Sequence, residues 1–116
     1  MSSDSDIRTV RIGEHLWVVS LAGERDLADV DRLEAAFDAV FDQGSTLVVD
    51  LSETTFIDSA VIGLLVATQR RAEDDEAHRL AVVAPRGSHP RRLLDMTARN
   101  VFPIVDDLPS ALATGP

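Results

Sequence analysis

The chain has 116 residues, enough for one domain that buries a core of its own, and it contains no cysteine. The lack of thiols excludes disulfides, thiolate catalysis and thiolate metal sites. A formal net charge of −9 would repel nucleic acid and anionic lipid, so neither is an expected partner. The first residues are polar and acidic, and no apolar stretch reaches membrane-spanning length. We expect a single cytoplasmic domain without membrane insertion, with its core within about residues 7–113.

Two short runs rich in β-branched residues, 7–12 and 15–21, begin the predicted fold as a hairpin, because the Gly-Glu pair between them suits a turn. From 27 to 41 the apolar residues recur with helical spacing, which predicts a helix that ends near Gly44. Charged residues take the opposite face of this helix. Its apolar face is predicted to consist of Leu27, Val30, Leu33, Ala36, Phe37, Val40 and Phe41.

Strands and helices alternate through the rest of the chain. The run 46–51 is almost wholly apolar, which is typical of a central strand that is covered on both faces. The resulting order, β-β-α-β-α-β-α-β-α, requires parallel pairing with right-handed crossovers, so the predicted fold class is α/β with helices packed on a mixed sheet. The elements predicted after the central strand are helix 59–73, strand 80–84, a helix that starts at Ser88, edge strand 101–105 and helix 108–113.

The loops that follow parallel strands lie at the same end of a sheet. In this sequence these are the predicted loops 23–26, 52–58 and 85–89. We therefore expect them to converge in space. If the chain has one functional surface, it is predicted to lie there.

The start of the second long helix carries the most informative residues. Asp58 is predicted to cap this helix, because a carboxylate at such a position accepts a hydrogen bond from an N–H one turn on. Ser59 is either a second capping group or a hydroxyl that can be modified. Phe56 either anchors the preceding loop to the core or stays exposed as an interface residue.

An enzyme would need a general base or a set of metal ligands. Of the three histidines, only His89 lies near the predicted surface, and no nucleophile elbow, phosphate-binding loop or dinucleotide fingerprint is present. The sequence favours binding over catalysis and indicates no cofactor. Arg86, Arg91 and Arg92 form a basic group that is either solvated or paired with Asp26, Asp58 or a partner.

Three segments resemble the STAS domain of the anti-sigma factor antagonist family, and the resemblance covers nearly the whole chain. Residues 21–26, Leu-Ala-Gly-Glu-Arg-Asp, are similar to the Gly-Glu-x-Asp loop of that family. Residues 48–63 are similar to its strand, loop and Asp-Ser-Ser/Thr-Gly-x-Gly helix start. Residues 92–97 and 102–104 are similar to its last helix and edge strand. A STAS-like fold is thus implied.

The resemblance implies partner switching, in which such a protein binds an anti-sigma factor with a histidine-kinase-like ATPase fold and is turned off when that kinase phosphorylates it. Ala60 stands where the family has its phosphorylated hydroxyl, and Val61 stands at the first motif glycine. Alanine mimics the unmodified state, so binding is expected to be independent of phosphorylation. Phosphorylation of Ser59 is the lower-ranked alternative. The residues predicted to take part in partner binding and switching are Glu24, Asp26, Phe56, Asp58, Ser59, Ala60, Val61 and Gly63.

A second reading comes from STAS domains that are accessory subunits of lipid-transport ABC ATPases, whose helix starts can read Asp-Ser-Ala-Gly. Residues 58–60, Asp-Ser-Ala, also fit that form. The stretch 92–104 is more similar to the sigma-regulator branch, which ranks the antagonist reading first. The sequence leaves the oligomeric state open.

Overall fold

A computed structural model describes residues 6–44 and 46–113. The strands are β1 (Ile7–Ile12), β2 (Leu16–Arg25), β3 (Thr46–Ile57), β4 (Arg79–Val83) and β5 (Ile104–Val105). The helices are α1 (Val30–Gln43), α2 (Ser59–Glu73), α3 (His89–Thr97) and α4 (Leu108–Ala113), and a 3-10 turn (Leu27–Asp29) precedes α1. The predicted order of elements is confirmed.

The five strands form one sheet in the order β1-β2-β3-β4-β5. β1 and β2 pair antiparallel, whereas the other three pairs are parallel. β3 is the central strand, as its apolar sequence predicted. β5 lies at the edge, as predicted, but it spans two residues because Pro103 has no N–H to donate to a ladder and Phe102 is buried in the core.

Two apolar layers cover the sheet. The larger one packs α1, α2 and α3 on one face, where Phe37, Leu65 and Leu94 meet residues of β2, β3 and β4. The smaller one packs α4 on the other face through Ala111, which lies among Val18, Val48 and Val83. Within the described residues, no helix has the length and apolar character needed to cross a membrane.

β2 and β3 extend further than the sequence predicted, and the predicted loops 23–26 and 52–58 are therefore mostly strand. β3 continues to Ile57 beside β2, with register shifts that interrupt the alternation of buried and exposed residues. Beyond Leu51 only Thr54 and Ile57 are buried, one residue in three, so the strand pattern is hidden in the sequence. The Thr54 hydroxyl donates a hydrogen bond of 2.8 Å to the Leu21 carbonyl across the two strands.

The predicted apolar face of the first helix is wrong at its first residue. Leu27 lies in the 3-10 turn rather than in α1, so the helical spacing does not extend back to it. Its side chain is 70% exposed. Leu33, Phe37, Val40 and Phe41 are buried as predicted.

Candidate functional site

The Asp58 carboxylate joins the start of α2 to the 3-10 turn. Asp58 has extended backbone angles, and its Oδ1 accepts a hydrogen bond of 3.1 Å from the Val61 N–H, which confirms the predicted helix cap. Its Oδ2 accepts a second hydrogen bond, also 3.1 Å, from the Leu27 N–H. One side chain therefore holds two segments that are 31 residues apart in the chain.

The 3-10 turn has a capping box of its own. Asp26 accepts a hydrogen bond from the Ala28 N–H, and the Asp26 N–H donates to Asp29 Oδ2 at 2.9 Å. Asp29 is buried and also binds Arg32 Nη2 at 2.7 Å and Arg25 Nη1 at 3.4 Å. These bonds fix the backbone of the turn from both sides.

The same contacts set the pKa of Asp29. Burial alone would raise the pKa of this carboxyl, but the Asp26 N–H, the Arg32 hydrogen bond and the charges of Arg25 and Arg32 lower it below the usual 3.8. Asp29 is thus a carboxylate at neutral pH. It binds the guanidinium groups of Arg25 and Arg32, which would otherwise be free to bind other groups at the surface.

The third segment joins through an aromatic contact. The rings of Phe56, at the end of β3, and His89, at the start of α3, are stacked with centroids 5.0 Å apart. Phe56 is 39% exposed and is therefore not an anchor buried in the core, whereas Ile57 is buried. The predicted convergence of the three segments is confirmed, although two of them are largely strand ends and not loops.

The predicted surface residues differ in how far they reach solvent. Glu24, Asp26, Ser59 and Gly63 are exposed, and Asp58 and Ala60 are intermediate. The prediction that Val61 belongs to the surface is wrong, because its side chain is only 1% exposed and packs in the core. Its side chain packs the first turn of α2 against the core and has almost no exposed surface for contact with a partner. The exposed Leu27 was missed, since helical periodicity assigned it to the core.

Of the alternatives left open for the basic group, pairing with Asp26 or Asp58 does not occur in the structure. Arg86 and Arg91 both bind Asp106, the residue that follows β5, at 3.2 and 2.8 Å. Arg92 donates to the Gly87 carbonyl. The acids at the start of α2 and at the 3-10 turn are thus left without these arginines.

The three histidines lie in separate environments. His15 lies beside Glu14, His78 stacks on Phe41, and His89 stacks on Phe56. The buried Nδ1 of His89 has no hydrogen-bond partner, so it forms no pair with the Ser59 hydroxyl. Within residues 6–44 and 46–113, no group of three or more histidine, aspartate or glutamate side chains could hold a metal ion.

Comparison with known proteins places this arrangement in a family. The family model described as "Mlab, STAS domain" matches residues 9–104. The anti-sigma-F factor antagonist RsfB of Mycobacterium tuberculosis is 37% identical over 93 residues, which cover 78% of this chain and 74% of the relative. The chain belongs to the STAS-domain family of anti-sigma factor antagonists.

Solved structures agree with this membership. The STAS chain resembles the crystal structure of an anti-sigma factor antagonist from Mycobacterium paratuberculosis with a TM-score of 0.74 and 29% identity, over 98% of this chain and 97% of that one. A STAS-domain antagonist protein from Planctomyces limnophilus has a TM-score of 0.76 at 23% identity, over 94% and 97% of the two chains. At that identity the likeness concerns the fold alone. The sequence-based prediction of a STAS fold is confirmed.

Proposed function

We propose that this STAS domain binds an anti-sigma factor with a histidine-kinase-like ATPase fold and thereby frees a sigma factor. The observation that carries the proposal is the surface at which the 3-10 turn, the end of β3 and the starts of α2 and α3 meet, held together by Asp58 and by the stack of Phe56 on His89. The antagonist relatives support it.

The direct test is a binding measurement with purified components. Each anti-sigma factor of the source organism is expressed separately and titrated with the STAS domain, with and without ATP. The expected result is saturable binding to one factor and displacement of its sigma factor. Failure to bind any of them contradicts the proposal.

Ala60 makes the proposed binding independent of phosphorylation. It is the second residue of α2, partly exposed, and has no hydroxyl that a kinase could modify. A phosphate at this position would add negative charge beside Asp58 within a contact surface, and this repulsion is the physical basis of an off state. Alanine retains the uncharged state, so the domain stays competent to bind.

Intact mass after incubation with the anti-sigma kinase and ATP tests this point. The wild-type chain is expected to gain no phosphate, and Ala60→Ser is expected to gain one. Ser59 is exposed and gives the alternative acceptor, but adjacent helix residues point about 100° apart, so a kinase shaped for position 60 reaches it poorly. A stoichiometric phosphate on wild type, lost in Ser59→Ala, would overturn the proposal in favour of Ser59.

The second candidate function is that of an accessory subunit of a lipid-transport ABC ATPase. It is favoured by Ala60 following Asp58 and Ser59, the form of helix start that such subunits can have. Parallel pull-downs separate the two functions. Specific, saturable capture of a transporter nucleotide-binding subunit, without binding to an anti-sigma factor, would reverse the ranking.

A further inference from the structure

The geometry points to Leu27 as the apolar anchor of the docking surface, received by an apolar socket of the anti-sigma factor that has lysine or arginine at its rim. This inference rests on the proposed function and specifies the chemistry of the partner. It concerns a residue that the predicted surface did not include.

The side chain of Leu27 is exposed although its backbone is held by hydrogen bonds. Its side chain is 70% exposed, while its N–H donates to Asp58 Oδ2 at 3.1 Å. A large apolar side chain in water gains free energy when a partner covers it. Exposed single apolar residues are common on protein surfaces, so exposure needs support from rigidity and charge.

The rigidity comes from the bonds on either side of Leu27. Asp26 and Asp29 exchange hydrogen bonds in a capping box, and Arg25 and Arg32 clamp Asp29. A side chain presented on a backbone that is already ordered loses less conformational freedom on binding, so more of its contact energy appears as affinity. The turn is thus a rigid support for the large apolar side chain of Leu27, which it exposes.

The charge around the anchor identifies the kind of partner. Glu24 and Asp26, which shortly precede Leu27 in the chain, are exposed, and the Asp58 carboxylate accepts a hydrogen bond from the Leu27 N–H. The guanidinium groups of Arg25 and Arg32, the arginines on either side of the turn in the chain, are bound to Asp29. An apolar side chain inside an acidic rim is complementary to an apolar socket with a basic rim, and such charge complementarity raises the association rate.

The test compares Leu27→Ala with Met96→Ala, which removes an equally exposed apolar side chain from α3, where Met96 is 79% exposed. Calorimetric titration against each purified anti-sigma factor of the source organism is expected to give a Kd for Leu27→Ala about 10–30-fold above wild type. Met96→Ala is expected to stay within about twofold, as for a residue outside the central contact. Leu27→Met should recover most of the affinity.

The acidic rim has its own readout. Glu24→Gln is expected to slow association at low salt, and the difference from wild type should vanish at high salt, where exposed charges are screened. Thermal unfolding of the variants must match wild type, because these side chains are exposed.

The outcomes separate the anchor from the function that it serves. A wild-type chain that binds none of the factors refutes the proposed function and the anchor with it. Binding that Leu27→Ala leaves within twofold, or that Met96→Ala weakens to the same extent, refutes the anchor alone.

Discussion

The two hydrogen bonds of Asp58 predict a graded loss of stability. Asp58→Ala removes the cap on the Val61 N–H, worth about 1 kcal/mol, and the bond to the Leu27 N–H, worth about 1 kcal/mol more. The expected loss is thus about 2 kcal/mol, or roughly 8 °C in Tm for a domain of this size. Asp58→Asn keeps one acceptor oxygen but turns an amide N–H₂ toward one of the two donors, so it should lose about 1 kcal/mol.

Urea denaturation at neutral pH, followed by circular dichroism, measures both losses as shifts of the midpoint at constant slope. Ser59→Ala is the matched control, because it changes the neighbouring exposed residue and should stay within about 0.5 kcal/mol of wild type. A loss below about 0.5 kcal/mol for Asp58→Ala would refute the two-bond account. An Asp58→Asn variant as unstable as Asp58→Ala would also refute this account, because the stability would then depend on the negative charge and not on the number of hydrogen bonds.

The remaining predictions concern packing, backbone and pH. Gly44→Ala would bring a Cβ to 2.7 Å from Trp17 Nε1 and should cost about 1–3 kcal/mol in urea denaturation. Gly63→Ala is its counterpart in α2, where nothing lies within 4 Å, and should gain about 0.5–1 kcal/mol in the same assay. Leu65→Ala empties a fully buried site and should lose about 2–5 kcal/mol, and a smaller loss would mean that the core closes over the gap. Because the pKa of Asp29 is lowered on folding, its contribution is complete above pH 3.8 and disappears as the pH falls through the folded value. The Tm of Asp29→Asn should therefore be below that of wild type at pH 7 and approach it below pH 3.8, and parallel Tm curves would contradict this.

The helices and strands whose apolar residues follow a regular pattern could be predicted from the sequence. The apolar run at the start of β3 identified the central strand, and the Asp at position 58 identified its helix cap, because both depend on local sequence. The second half of β3 escaped prediction because register shifts against β2 leave only Thr54 and Ile57 buried there.

The features of the candidate site that were missed depend on tertiary contacts. The hydrogen bond from the Leu27 N–H to Asp58 joins residues far apart in the chain, and no local sequence pattern indicates it. The stack of Phe56 on His89 likewise appears only once β3 and α3 are packed together. Leu27 was misassigned because a 3-10 turn and an α-helix give the same apolar spacing over one turn.

The order of the strands in the sheet has a kinetic consequence. Each strand lies beside the one that precedes it in the chain, so every pairing closes only a short hairpin or a single helical crossover. Pairings of this kind require no search for distant segments, and mixed α/β domains fold on average faster than sandwiches built from remote pairings. In native-state amide hydrogen exchange, the outermost strands are expected to open first and β3 last.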